Sequence, residues 1–126
     1  MDFSQTLMHS LGMELVQLKQ GEVVMNMPVD HRTRQPAELL HGGASVALAE
    51  TVASIGASHL IDSKVEAAVC LEVNANHIKG KRDGIVTAIG KALHHGKRTQ
   101  VWEVKIQDEE NQLICISRCT LAIINV

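Results

Sequence analysis

The sequence predicts an α+β fold in which a curved antiparallel sheet of six strands wraps round one long central helix. Three observations predict it. Residues 42–61, GGASVALAETVASIGASHLI, form one long Ala-rich run free of Pro, with apolar residues nearly all round, as in a buried helix. Two strand-like runs precede it and four follow. The separators among the later runs (KGKRD, HHGKR and DEEN) are turn-like. Runs of strands beside a single helix indicate antiparallel layers, and a sheet curved round the helix would bury it on most sides.

Taken in order, residues 2–10 suit a short helix with Phe3, Leu7 and Met8 on one face. Segments 13–18 and 22–29 read as strands joined by a turn at Gly21. Residues 30–40 are polar, contain Pro36, and read as a loop. The helix then runs from 42 to about 60. A run of 20 residues is long enough to cross a bilayer. Glu50, His59 and the Gly and Ser interruptions oppose that reading, so no membrane association is expected. Segments 66–78, 84–93, 99–107 and 112–125 are β-branched and partly alternating, as strands are. Neither a linker-like stretch nor an internal repeat interrupts the chain, so one domain over 1–126 is expected.

Composition narrows the function. The chain of 126 residues is 45% hydrophobic and 21% charged, as globular proteins are. A net charge of -2 and only two aromatic residues, Phe3 and Trp102, argue against a nucleic-acid partner, which needs phosphate neutralisation and stacking platforms. The three cysteines, Cys70, Cys115 and Cys119, are an odd number with no CxxC pair. Cys115 and Cys119 would sit about 13 Å apart along a strand, too far for a disulfide. Reduced thiols in a cytoplasmic setting are expected. The first residues lack a basic stretch followed by an apolar run, so no signal peptide is expected.

Glu50 is the only charged residue between Glu38 and Asp62. Its helical neighbours, Val46, Ala47, Ala53 and Ser54, offer no ion-pair partner. A solvated stripe would explain a carboxylate there, and so would retention for function. Upstream, Leu40-His41-Gly42-Gly43-Ala44 leads into the helix, whose first N–H groups are unpaired and carry partial positive charge. Glycine lets a ligand approach them, which makes an oxyanion-stabilising site; a plain turn is the simpler alternative. Gly42 and Glu50 are eight residues apart, about 12 Å along a helix. One chain cannot bring both to the same small reacting group. Two antiparallel helices across a two-fold axis can, so a symmetric dimer with two shared sites is expected.

The run TRQPAELLHGGASVALAETVAS, residues 33–54, resembles the active-site segment of the hotdog-fold acyl-CoA thioesterases. It is most similar to the branch holding the helix-Glu 4-hydroxybenzoyl-CoA, phenylacetate-pathway, enterobactin-pathway and menaquinone-pathway enzymes. LEVNANHIKGKRDG and HHGKRTQVWEVKI resemble the same branch, so the likeness runs from about Met27 to the C-terminus. The resemblance implies a hotdog fold and hydrolysis of an aromatic or short-to-medium acyl-CoA without a cofactor. No metal is expected either, because the adjacent His94 and His95 would point to opposite faces of a strand, with no carboxylate or Cys nearby to complete a ligand set. Glu50 would act as nucleophile or general base, and the Gly42 N–H would polarise the thioester carbonyl. Gln35 and His41 would position the thioester, facing Glu50 of the other chain, and Ser54 would orient the carboxylate or the water. His77 would line the acyl or pantetheine region, with Cys70, Ile78, Lys79 and Gly80 near it. His94, His95, Gly96, Lys97, Arg98 and Thr99 would contribute to CoA binding. The clusters Lys79-Lys81-Arg82 and Lys97-Arg98 suit the CoA phosphates, although solvated turns would look the same. Family members are often tetramers, so a dimer of dimers is implied.

Two other functions fit the same fold. An acyl-thioester hydratase or dehydratase would carry an Asp/His pair in a different motif, which is not found here, and would yield hydroxyacyl product without CoA release. A non-catalytic acyl-CoA binding module would have no need of both Glu50 and Gln35, and would release no free thiol.

Overall fold

The computed structural model describes residues 1–126. Strict alternation builds the sheet. In β1 (Glu14–Lys19) and β2 (Glu22–Pro28), joined at Gly21, the β2 residues Val23, Met25 and Met27 are wholly buried. The helix and the long strands follow: α2 (Gly42–His59), β3 (Glu66–His77), β4 (Ile85–His95), β5 (Thr99–Gln107) and β6 (Leu113–Asn125). Gln100, Trp102, Val104 and Ile106 of β5 point to the core, as do Cys115, Ser117, Cys119 and Leu121 of β6. One face of each strand therefore goes to the interior, as a period of two requires. The sheet order is β1-β2-β4-β5-β6-β3, antiparallel throughout, which leaves β1 and β3 as edges. This is the six-stranded sheet with one long helix that the sequence predicts.

Helix α2 lies against the buried face of the sheet, with Ala44, Ser45, Leu48, Ala49, Val52, Ala53, Gly56 and Ala57 inward. Two glycines set its distance from the sheet. A Cβ on Gly56 would fall inside the Trp102 ring, and one on Gly90 of β4 would fall inside Val52. The Trp102 indole N–H donates to Gln100 Oε1 at 2.8 Å, and Gln100 Nε2 donates to the Ala57 carbonyl at 3.4 Å. Gln100 thus satisfies a buried polar pair and ties the sheet to the last turns of the helix.

Three expectations change. The helix is not wrapped on most sides: its opposite face, with Gly43, Glu50 and Ser58 exposed and Val46, Ala47, Thr51, Ser54 and Ile55 half-buried, is uncovered within one chain. All-round apolarity does not tell which faces of a helix its own sheet covers. The N-terminal helix shrinks to α1 (Leu7–Ser10), capped by Thr6, and Phe3 precedes it. Strand β4 extends through His95, because His94 and His95 still pair with Val101 and Gln100 across a register break.

Gly56→Ala is expected to destabilise the fold by about 1–3 kcal/mol, since the Trp102 ring is fully buried and cannot move aside. That overlap outweighs the gain in helix propensity of about 1 kcal/mol. Urea unfolding of Gly56→Ala beside Ser58→Ala, an exposed change on the same helix, checks it: the second should leave the midpoint nearly unchanged.

Candidate active site

The loop before α2 is pinned by its own backbone. Thr33 is buried and donates its hydroxyl to the Pro28 carbonyl at 2.8 Å, while its own carbonyl accepts from the His41 N–H at 2.8 Å. The Leu40 N–H donates to the Lys81 carbonyl at 2.7 Å. Between them Gln35 forms a tight turn: its N–H donates to the Leu39 carbonyl at 2.8 Å, and its Oε1 accepts from the Ala37 N–H. The side-chain oxygen is used locally, so the Gln35 NH₂ group is the end left to meet a ligand.

His41 is the helix N-cap. Its Nδ1 accepts from the Gly43 N–H at 2.7 Å, which places the ring proton on Nε2 and makes that edge a donor. The Ala44 and Ser45 N–H groups donate to the His41 carbonyl at 3.0 and 3.2 Å. The Gly42 N–H alone in this first turn has no partner, and it sits at the positive end of an 18-residue helix. The His77 ring covers Gly42, and a Cβ there would meet His77 Nε2 at 2.9 Å. Gln35, Gly42, Ser45, His77, Ile78, Lys79 and Gly80 together line a cleft of about 260 Å³.

Glu50 lies elsewhere. It projects from the uncovered face of α2 into a separate cleft of about 490 Å³ with Gly43, Val46, Ala47, Thr51 and Ser54. Leu7 and Met8 of α1 complete its wall. The neighbours of Glu50 are small and apolar, as its helical spacing implies, but in one chain the carboxylate is exposed. The Cys70 thiol of β3 lies near it: burial pushes this thiol up, and the Glu50 charge adds to the effect. A third hollow of about 460 Å³, beyond the helix C-terminus, gathers Leu60, Ile61, Glu66, His95, Gly96 and Lys97. There the Gly96 N–H donates to the Thr99 carbonyl at 2.9 Å, closing a turn that presents His94, Lys97 and Arg98 outward. A fourth hollow, near Phe3, Gly12 and Arg32, brings together none of these groups, and its Arg32 is tied to Asp30 at 2.7 Å.

The residues named from sequence therefore fall into separate groups, with Gln35, Gly42 and His77 in one cleft, Glu50 and Ser54 in another, and the exposed His41 lining neither. The two basic clusters also differ. Lys81 pairs with Glu109 at 2.6 Å and Lys79 with Asp108 at 3.5 Å, while Arg82 Nη1 donates to the Ala37 carbonyl at 3.5 Å. Lys81, together with the Ile85 N–H, holds the Glu109 carboxyl down at about 2. Lys97 and Arg98 pair with no carboxylate. The first cluster is thus engaged in joining the β3–β4 connection to the β5–β6 turn, which the sequence separation conceals.

Sequence reasoning missed the walls of the Glu50 cleft, Leu7, Met8, Gly43 and Thr51; the apolar pair in a short N-terminal helix was the only available signal. It also missed that Cys70 and Cys119 face each other, Sγ to Sγ at 3.1 Å, across β3 and β6. The register break between Cys70 and Glu72 makes that pairing unreadable from spacing.

Comparisons with known proteins place the chain in a family. Residues 37–115 match the pattern of the thioesterase superfamily. The Bacillus subtilis protein named "Putative esterase ComA2" is 55% identical over 98% of both chains. The 1,4-dihydroxy-2-naphthoyl-CoA hydrolase of Listeria monocytogenes is 49% identical over 93% of this chain and 94% of its own. A crystal structure of a thioesterase variant from Staphylococcus aureus superposes with a TM-score of 0.91 at 44% identity, covering 93% of this chain and 97% of that one.

Proposed function

Because the chain belongs to the thioesterase superfamily and has the hotdog architecture of a thioester hydrolase, we propose that it hydrolyses an aryl- or short-to-medium acyl-CoA at sites completed by two chains. The observation that carries this is the separation of one catalytic set into two clefts on one helix, Gly42 with Gln35 and His77 in one, Glu50 with Ser54 in the other. A two-fold axis that sets two α2 helices antiparallel brings the start of one to the middle of the other. Edge strand β3 favours such an axis. It has twelve residues, a free hydrogen-bonding side, and Val69 and Leu71 exposed. An edge this long and apolar is protected in solution by pairing, and pairing with a second β3 continues the sheet.

In the completed site the thioester oxygen lies at the Gly42 N–H of one chain. The helix dipole there stabilises the charge that develops as the carbonyl carbon becomes tetrahedral. The Gln35 NH₂ and the His41 Nε2–H orient the thioester. Glu50 of the other chain attacks the carbonyl carbon, or removes a proton from the water that does; Ser54 holds that carboxylate or water. The C–S bond then breaks and CoA leaves as the thiol. In the base route the thiolate receives the proton that Glu50 took from water, and the acid is released directly. In the nucleophile route it receives the proton from the water that next hydrolyses the Glu50–acyl anhydride. Two substituted S. aureus structures support these roles. One carries a Gln-to-Ala and the other a Glu-to-Ala change, fifteen residues apart, which is the separation of Gln35 and Glu50.

Substrate class is read from the named relatives. The Listeria enzyme and an Escherichia coli relative 51% identical over 98 residues are both 1,4-dihydroxy-2-naphthoyl-CoA hydrolases. An aryl-CoA is therefore the first substrate to test. Lys97 and Arg98 are assigned to the CoA phosphates, since they lack the carboxylate partners that hold Lys79 and Lys81. Three free thiols suit a reducing, cytoplasmic setting. No helix is long and apolar enough to cross a membrane.

Glu50→Ala is expected to abolish release of free thiol from benzoyl-CoA while leaving the chain folded; turnover at the wild-type rate would refute the assignment. Gly42→Pro removes the proposed oxyanion donor at a helix position where proline is well tolerated. It should cost about 100-fold or more in kcat. Gly42→Ala crowds His77 similarly but keeps the N–H, and should retain most of kcat. The double change Lys97→Ala/Arg98→Ala should raise KM about tenfold with kcat nearly unchanged, as loss of charged hydrogen bonds to phosphate implies. Lys79→Ala should leave KM within about twofold, because its charge is already engaged with Asp108. The opposite ranking would move the phosphate site to residues 79–82.

A further inference from the structure

The N-terminal turn has no part in the chemistry above, yet it forms one side of the Glu50 cleft. Its backbone is fixed: Thr6 caps α1, the Met13 N–H donates to the Met8 carbonyl at 2.9 Å, and the chain reverses at Gly12 with φ +72. Phe3, Met8 and Leu11 pack against the core. Leu7 does not. It is 57% exposed and lines the cleft with Val46, Glu50 and Ser54. An apolar side chain held uncovered on a fixed backbone, beside a reactive carboxylate, is placed to contact an apolar ligand.

The cleft also continues. Ser54 and Ile55 are shared with a second hollow of about 380 Å³, which passes under Met1 and Leu18 to Ser58 and His59. An acyl group with its carbonyl at Glu50 would run along the outer face of α2 into the first hollow, and a longer chain would extend past Ser54 toward the second. The N-terminal segment roofs both.

We propose that this segment selects the acyl group, with Leu7 as the specificity-determining residue that narrows the first hollow; the proposal rests on Glu50 being the catalytic carboxylate. Small or planar acyl groups fit beneath Leu7, and longer aliphatic chains are resisted by it. The side chain touches the acyl group and not the reacting atoms, so it acts on the ratio between substrates and not on the chemical step.

The test is free-thiol release from acetyl-CoA, benzoyl-CoA and dodecanoyl-CoA by wild type, Leu7→Ala and Leu7→Trp. Leu7 is exposed, so both variants should melt within a few degrees of wild type. Leu7→Ala should raise kcat/KM for dodecanoyl-CoA relative to benzoyl-CoA about tenfold, the usual scale for a change of a few methylenes in an apolar pocket. Leu7→Trp should lower benzoyl-CoA relative to acetyl-CoA by a similar factor. If all three substrates shift together, or none shifts, Leu7 does not select the acyl group. Glu50→Ala is run alongside. If it is inactive while the Leu7 ratios stay at wild type, this inference alone fails. If it remains active, or wild type hydrolyses none of the three, the Glu50 reading fails first and takes this one with it.

Discussion

The contact between Gly56 and the Trp102 ring sets the geometry on which everything else rests. Trp102 is the largest buried side chain, and it stands where the helix crosses the sheet. Any side chain at position 56 would hold α2 away from β5. The matching contact of Val52 with Gly90 does the same against β4. Close packing at two points one turn apart fixes the rotation of the helix as well as its height. Rotation then decides which residues face outward, and Glu50 is among them.

A helix held in this way is a rigid mount for chemistry. Its N-terminus offers an unpaired N–H and a dipole, and its middle offers a carboxylate. Neither sits on a loop; Gln35, which does, is held in a turn closed by backbone and side-chain hydrogen bonds. The helix cannot fold back on itself, so the two groups stay about 12 Å apart in one chain. Under the proposed shared site, assembly is part of the catalytic design, and the small residues around the carboxylate leave room for a second helix. Val46 and Ala47 line the cleft beside Glu50.

Much of this was legible in the sequence, for identifiable reasons. The helix, the six strands and their order of appearance follow from periodicity and turn residues, which are local. Glu50 stood out because no other charge lies within eleven residues on either side. The exposure of Glu50 was not legible, because an all-round apolar helix looks the same whether its own sheet or another chain covers it. The engagement of Lys79 and Lys81 with Asp108 and Glu109 was hidden by sequence distance. The approach of Cys70 to Cys119 was hidden by a bulge. In each case the missing information is a long-range register, which a one-dimensional pattern does not carry.

The shared site is the central claim, and subunit mixing tests it most directly. Chains carrying Glu50→Ala and chains carrying Gly42→Pro, each inactive alone, are co-expressed with different affinity tags, and the hybrid is isolated. In a hybrid dimer one site then has both lesions and the other has none, so thiol release should return to about half the wild-type rate per dimer. A hybrid as inactive as its parents would show that each chain works alone, and would contradict the account.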